Sequence, residues 1–215
     1  MKLLTKTGLV LGLAMLSTLS AGDIQSADGA YGGVGVGYSA FNASYRDSSY
    51  HFPEDGEDTG SSEQNSIDAN DIGYRIYGGY QFNKIIGVEM SYNDYGHMDD
   101  GLFSQDPYSL SVSANAGYNF VDNQIRPFGI LGLGYMKANQ NTEVFDESVA
   151  AVHFGAGFEY YPSIFHGVGF RTGLEGDYKV KREYAYSEAD SGDLYSLETL
   201  RRTYVMYYLA VAYKF

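Results

Sequence analysis

The charged side chains of this sequence fall into two groups with different chemistry open to them. Arg75, Glu89, Glu159, Arg171, Glu175, Asp177, Lys179 and Lys214, four of each sign, stand at the small-residue positions of stretches that alternate between small and large apolar residues. Enclosed together they would have to pair, Arg75 with Glu89 and Arg171 with Glu159 or Glu175, because unpaired buried charge is costly. The second group is acidic and dense: Glu54, Asp55, Glu57 and Asp58, with Glu63 close behind. Its oxygens suit a divalent cation or a basic partner, but "EDGED" lacks the alternate ligand spacing of a calcium loop, so no metal site is expected. Nucleophilic hydrolysis would need a Ser beside a His. His51 and His97 fall in long connections, His166 in a short one, and His153 at a small-residue position, so no catalytic residue and no cofactor is expected. Without cysteine, neither a disulfide framework nor a thiolate metal site is available.

These residues need elements to hold them. Lys2 and Lys6, an apolar run from Leu9 to Leu16 and the small residues Ser20, Ala21 and Gly22 have the layout of a secretory signal peptide, expected to be cleaved after about residue 22. That leaves 23–215 as one domain. Composition is unusual, with 27 Gly and 22 Tyr against 4 Pro and no Trp. Tyr, with an apolar ring and a polar tip, suits a boundary between hydrocarbon and water.

Periodicity of two supplies the elements. In "AYGGVGVGYSAFN", Val34, Val36, Tyr38 and Ala40 oppose Gly33, Gly35, Gly37 and Ser39. The same pattern recurs in 72–82, 86–93, 109–120, 130–136, 152–160, 168–179 and 204–215, giving eight strands. The even-numbered ones end alike, in "GYQF", "GYNF", "GFEY" and "AYKF", so they reach one common level. Connections alternate as well: 45–70, 97–108, 139–149 and 181–200 are long, and the three between them are short. Removing Lys2 and Lys6 turns the chain's net charge of −13 into −15, all of which falls in the long connections. The expected fold is all-β, an eight-stranded up-and-down antiparallel transmembrane β-barrel with four long extracellular loops and short periplasmic turns. An eight-strand lumen is only wide enough for side chains, so the Gly, Ser and Ala face belongs inside and the large apolar face against lipid.

The sequence resembles the small eight-stranded outer-membrane β-barrel family, the group that includes the OmpA transmembrane domain and opacity-type surface proteins. "YGGVGVGYSA", "GGYQFNKIIGVEMSY", "RPFGILGLGY", "GAGFEYYPSIFHGVGFRTGLEGDY" and "LAVAYKF" carry the resemblance. It implies the outer membrane of a Gram-negative cell, lipopolysaccharide and outer-membrane lipids as surroundings, and recognition of Tyr213 and Phe215 by the assembly machinery. No peptidoglycan-binding domain is expected after Phe215. Lipid A deacylases of similar size place a His two residues before a Ser, which none of the four histidines here does. The function expected is display of acidic loops for surface interaction, adhesion or colonisation, with a membrane-integrity role, by a monomer; the alternative is a narrow gated pore for ions or small solutes. A possible host or extracellular partner would meet the loops, and nucleic acid is excluded by the charge.

Overall fold

The computed structural model describes residues 28–52, 59–99, 104–139, 148–189 and 192–215. Eight strands close a barrel: β1 (Gly29–Phe52), β2 (Thr59–Gln81), β3 (Ile86–Asp94), β6 (Tyr108–Gly117), β7 (Ile125–Lys137), β8 (Ser148–Tyr160), β9 (Val168–Ala189) and β10 (Gly192–Lys214). Two short strands, β4 (Met98–Asp99) and β5 (Ser104–Gln105), form a separate ribbon between β3 and β6. Every neighbouring pair is antiparallel, and β1 closes on β10 from Tyr31↔Lys214 to Phe52↔Asp193. Closure leaves no unpaired edge in the bilayer, where an unsatisfied backbone group has no water to turn to.

The small face does point inward. Val34, Val36, Tyr38, Leu131, Leu133, Leu209 and Val211 are exposed on the outside, while Ser39, Ser109, Ser111, Ala210 and Ala212 are buried within. Outward tyrosines form a girdle at one level on seven of the eight barrel strands: Tyr38, Tyr74, Tyr92, Tyr108, Tyr135, Tyr178 and Tyr207. Rings of Tyr74 and Tyr92 lie 6.2 Å apart and those of Tyr92 and Tyr108 5.7 Å apart. The opposite girdle consists of the repeated strand endings, where Tyr80 and Phe82, Tyr118 and Phe120, and Tyr213 and Phe215 contact each other at 5.5, 4.9 and 4.8 Å. From Tyr108 to Tyr118, ten steps of about 3.3 Å on a strand tilted by about 40° span roughly 25 Å, the height of an outer-membrane apolar band.

Two of the long connections are largely not loops. Residues 45–52 continue β1, 59–70 continue β2, 181–189 continue β9 and 192–200 continue β10. Outside the hydrocarbon layer a strand need not present a large apolar face, so the alternation that marks a strand in sequence fades there although backbone pairing continues. The wall β2–β1–β10–β9 is therefore tall, whereas β3, of 9 residues, and β6, of 10, stop near the tyrosine girdle. Strand β7 also begins five residues before the alternation that marked it, at Ile125 rather than Ile130. Arg126-Pro127 reads as turn chemistry, but a proline beside the first residues of a strand is tolerated.

Candidate functional site

The lumen is filled by a charge network built on two arginines. Arg171 of β9 reaches across the barrel to β3, where its Nη1 and Nη2 donate to Glu89 Oε2 and Oε1 at 2.6 and 3.0 Å. The same guanidinium lies 3.0 Å from Glu175 and 3.4 Å from Glu159, and its Nε donates to the Tyr208 hydroxyl at 2.8 Å. Arg75 of β2 pairs with Glu89 at 3.2 Å and with Glu175. Aromatic faces hold both cations: Arg171 sits 4.0 Å from the Phe128 ring centre and 4.4 Å from Tyr77, and Arg75 4.3 Å from Tyr208. Glu89 also accepts from the Tyr31 hydroxyl at 2.9 Å and from Asn115 Nδ2 at 3.1 Å.

Adjacent-strand pairing of Arg75 with Glu89 was legible from sequence, but the cross-lumen pair of Arg171 with Glu89 was not. The signal for it is geometric: an eight-strand barrel is narrow enough for an arginine to bridge opposite walls. Arg126, outside the expected strand, pairs with Glu159 at 3.4 Å. His153 is buried with Nδ1 3.0 Å from Asp177 and Nε2 3.5 Å from Glu175, so carboxylate oxygens face both ring nitrogens. Tyr95 closes the layer above by donating to Asp177 at 2.6 Å. Lys179 stands one alternation beyond Asp177, part-exposed at the outer mouth and opposite Arg202. At the other mouth Lys214, Arg126, Tyr31 and Glu159 line a recess with room for about one water molecule.

Beneath the outer mouth, Met98 and Gln105 of the β4–β5 ribbon are buried with Tyr95, Tyr204 and Phe41, and Tyr204 donates to Gln105 at 2.9 Å. The ribbon is pinned from outside. The amide of His97 donates to Asp71 of β2 at 2.6 Å, and its ring Nδ1 lies 2.8 Å from Asp106. That carboxylate, by hydrogen bond and charge, raises the His97 pKa above its ordinary value. Ser104 Oγ lies 3.5 Å from His97 Nε2, a long contact on a solvent-exposed imidazole. The order Ser, His, Asp is that of a hydrolytic triad, but full hydration deprives such a base of the dry surroundings that make it effective.

The acidic group is divided. Glu54, Asp55, Glu57 and Asp58 lie outside the described residues, as does 1–22, whereas Glu63 is exposed on β2. The register puts Glu63 opposite Asp47, Asp47 opposite Glu198, and Glu198 opposite Glu183, so four acidic residues fall on one rung of the backbone register across the tall wall. In the register Arg46 and Arg182 fall one rung from these acids and Arg201 three rungs. Among the described residues no group of three or more acidic or His side chains is arranged to hold a metal ion.

A family model described as "Outer membrane protein beta-barrel domain" matches residues 9–215. The chain belongs to this outer-membrane β-barrel family. Its place is the outer membrane of a Gram-negative cell. Among solved structures, the outer membrane protein OprG from Pseudomonas aeruginosa is similar at 13% identity over 90% of this chain and 100% of that one, with a TM-score of 0.50. Ail, the attachment invasion locus protein of Yersinia pestis, is similar at 18% identity over 84% and 99%, with a TM-score of 0.36. Neisserial surface protein A is similar at 17% identity over 82% and 97%, with a TM-score of 0.41. At such identities the likeness concerns the fold alone. No curated protein matches the chain.

Proposed function

We propose that this outer-membrane β-barrel is a non-enzymatic display protein whose tall wall meets a basic surface on a host cell, matrix or other extracellular partner, with a membrane-integrity role for the barrel. The rung Glu63, Asp47, Glu198 and Glu183 carries the reading. Like charges placed directly opposite each other on neighbouring strands are destabilising. Four in a row on strands that need not carry any suggest a demand imposed from outside the fold, and cations presented by a partner would relieve the repulsion. The packed lumen supports display over conduction, since an open selective path would leave a water-filled route through the charges. In this reading the barrel is a monomer surrounded by lipopolysaccharide and outer-membrane lipids, Tyr213 and Phe215 serve assembly, and 1–22 is removed on export.

The test uses whole cells carrying the full chain at matched surface levels. Replacing the rung by Asp47→Asn, Glu63→Gln, Glu183→Gln and Glu198→Gln should reduce attachment to host cells or to polylysine-coated beads, as should deletion of 54–63. Unchanged attachment for both variants refutes the reading. Steady single-channel openings of the purified protein in planar bilayers would replace it with the narrow pore, and fatty acid released from lipid A would overturn the non-enzymatic part.

A further inference from the structure

The three short turns do not look like turns made for water. Residues at turn tips are ordinarily Gly, Asn, Asp, Ser or Pro. Here Ile85 is 51% exposed in the first turn, Val121 63% in the second, and Ile164 and Phe165 72% and 45% in the third. Val121 adds a local conflict. It opens a run of three residues in the left-handed region, with φ of 49°, 52° and 65° at Val121, Asp122 and Asn123. Asp and Asn tolerate that conformation, but a β-branched residue there is a steric outlier. Exposed apolar surface together with an unfavourable backbone needs an offset that water does not supply.

The surroundings identify the offset. Phe165 meets Phe170 of the lipid-facing band edge-on, with ring centres 6.3 Å apart, so the third tip continues the membrane surface. Phe82 and Phe120, both exposed, lead from the same band into the first and second tips. Each tip mixes these side chains with exposed polar ones: Asn83 and Lys84, Asp122, and Ser163 and His166. An apolar residue beside a short polar or long basic one suits the head-group zone, where one side chain enters the acyl boundary and its neighbour stays hydrated.

We infer that the three turns are a phospholipid-contacting element, seated in the head-group zone of the inner leaflet, with Ile85, Val121, Ile164 and Phe165 as its inserted side chains. All three lie at the rim where the even-numbered strands end, so together they fix the depth of the barrel on the periplasmic side. The inference is independent of what the tall wall binds.

The chain has no Trp, so a single introduced indole reports cleanly. Full-length Ile164→Trp and Val121→Trp, each folded into phosphatidylcholine–phosphatidylethanolamine vesicles, should show blue-shifted emission, quenched more by lipids brominated near the glycerol than by iodide on both sides of the membrane. His97→Trp provides the water-exposed reference. Iodide dominating at 164 and 121 as it does at 97 overturns the inference. Blue-shifted emission that is lost on tenfold dilution with lipid also overturns it, since a second copy would then be covering the tips. If the Trp variants fail to form a barrel, Ile164→Cys replaces them, because the chain has no native cysteine. Its reaction with a water-soluble maleimide should be about tenfold slower than that of His97→Cys, an immersed Ile position having to be exposed first; equal rates overturn the inference.

Discussion

Replacing Arg171 with Met is the most direct test of the lumen network. The substitution keeps an unbranched side chain against Phe128 and Tyr77 but removes the donors to Glu89, Glu175, Glu159 and Tyr208. Three buried carboxylates then lose a cation held at 2.6 to 3.4 Å. Breaking a buried ion pair by removing one partner costs about 3–5 kcal/mol, and Arg75, which still reaches Glu89 and Glu175, keeps the loss near about 4 kcal/mol. With a urea slope of about 2 kcal/mol per M, the unfolding midpoint should fall by about 2 M. The assay is urea unfolding from vesicles, followed as the fraction of barrel that resists detergent. Adding Glu89→Gln removes one of the stranded charges and should recover more than about 1 kcal/mol, a coupling expected of groups in direct contact. Arg171→Lys should fall between, because an ammonium cannot engage two carboxylates in a fork. A midpoint lowered by less than about 0.5 M, or a double variant no better than the single one, would refute the argument that Arg171 balances the lumen.

Three further outcomes follow from separate parts of the molecule. A Cβ at Gly155 would lie 2.3 Å from Glu175 Cγ and 2.8 Å from the Leu174 carbonyl oxygen. Gly155→Val should therefore destabilise the barrel by at least about 1–3 kcal/mol in the same urea assay, whereas an unchanged midpoint would mean that the lumen is less tightly filled. Deleting Phe215 should lower the amount of protein in the outer membrane far more than deleting Glu57, and equal levels in membrane fractions would remove the assembly role of the terminal aromatics. The His97 ring should titrate above the ordinary value of about 6.5 by NMR, and Asp106→Asn should bring it back. Because the folded value is raised, the contribution of this contact to holding the ribbon is fully present below about pH 6.5 and is lost as pH rises through the folded value. A midpoint at or below about 6.5 in the unsubstituted protein contradicts the contact.

The alternation of Val34, Val36 and Tyr38 with glycines determines a two-sided strand without help from the rest of the chain, because successive side chains must point to opposite faces. Eight such stretches, with Gly, Ser and Ala prominent on one side, specify a narrow barrel with that side inward, since lumen volume does not admit the face that carries Tyr, Phe, Leu and Val on every strand. The same reasoning located Arg75, Glu89, Glu159, Arg171, Glu175 and Asp177 inside. Sequence could not say which of them meet. Arg171 and Glu89 are 82 residues apart, and only closure of the sheet brings them within 2.6 Å. Nor could it show that 59–70 and 181–189 are strand, because these stretches carry no sustained period-two alternation of apolar residues. The rung Glu63, Asp47, Glu198 and Glu183 is a product of register alone: four acids scattered over 152 positions, 47 to 198, become neighbours because backbone hydrogen bonds align their strands.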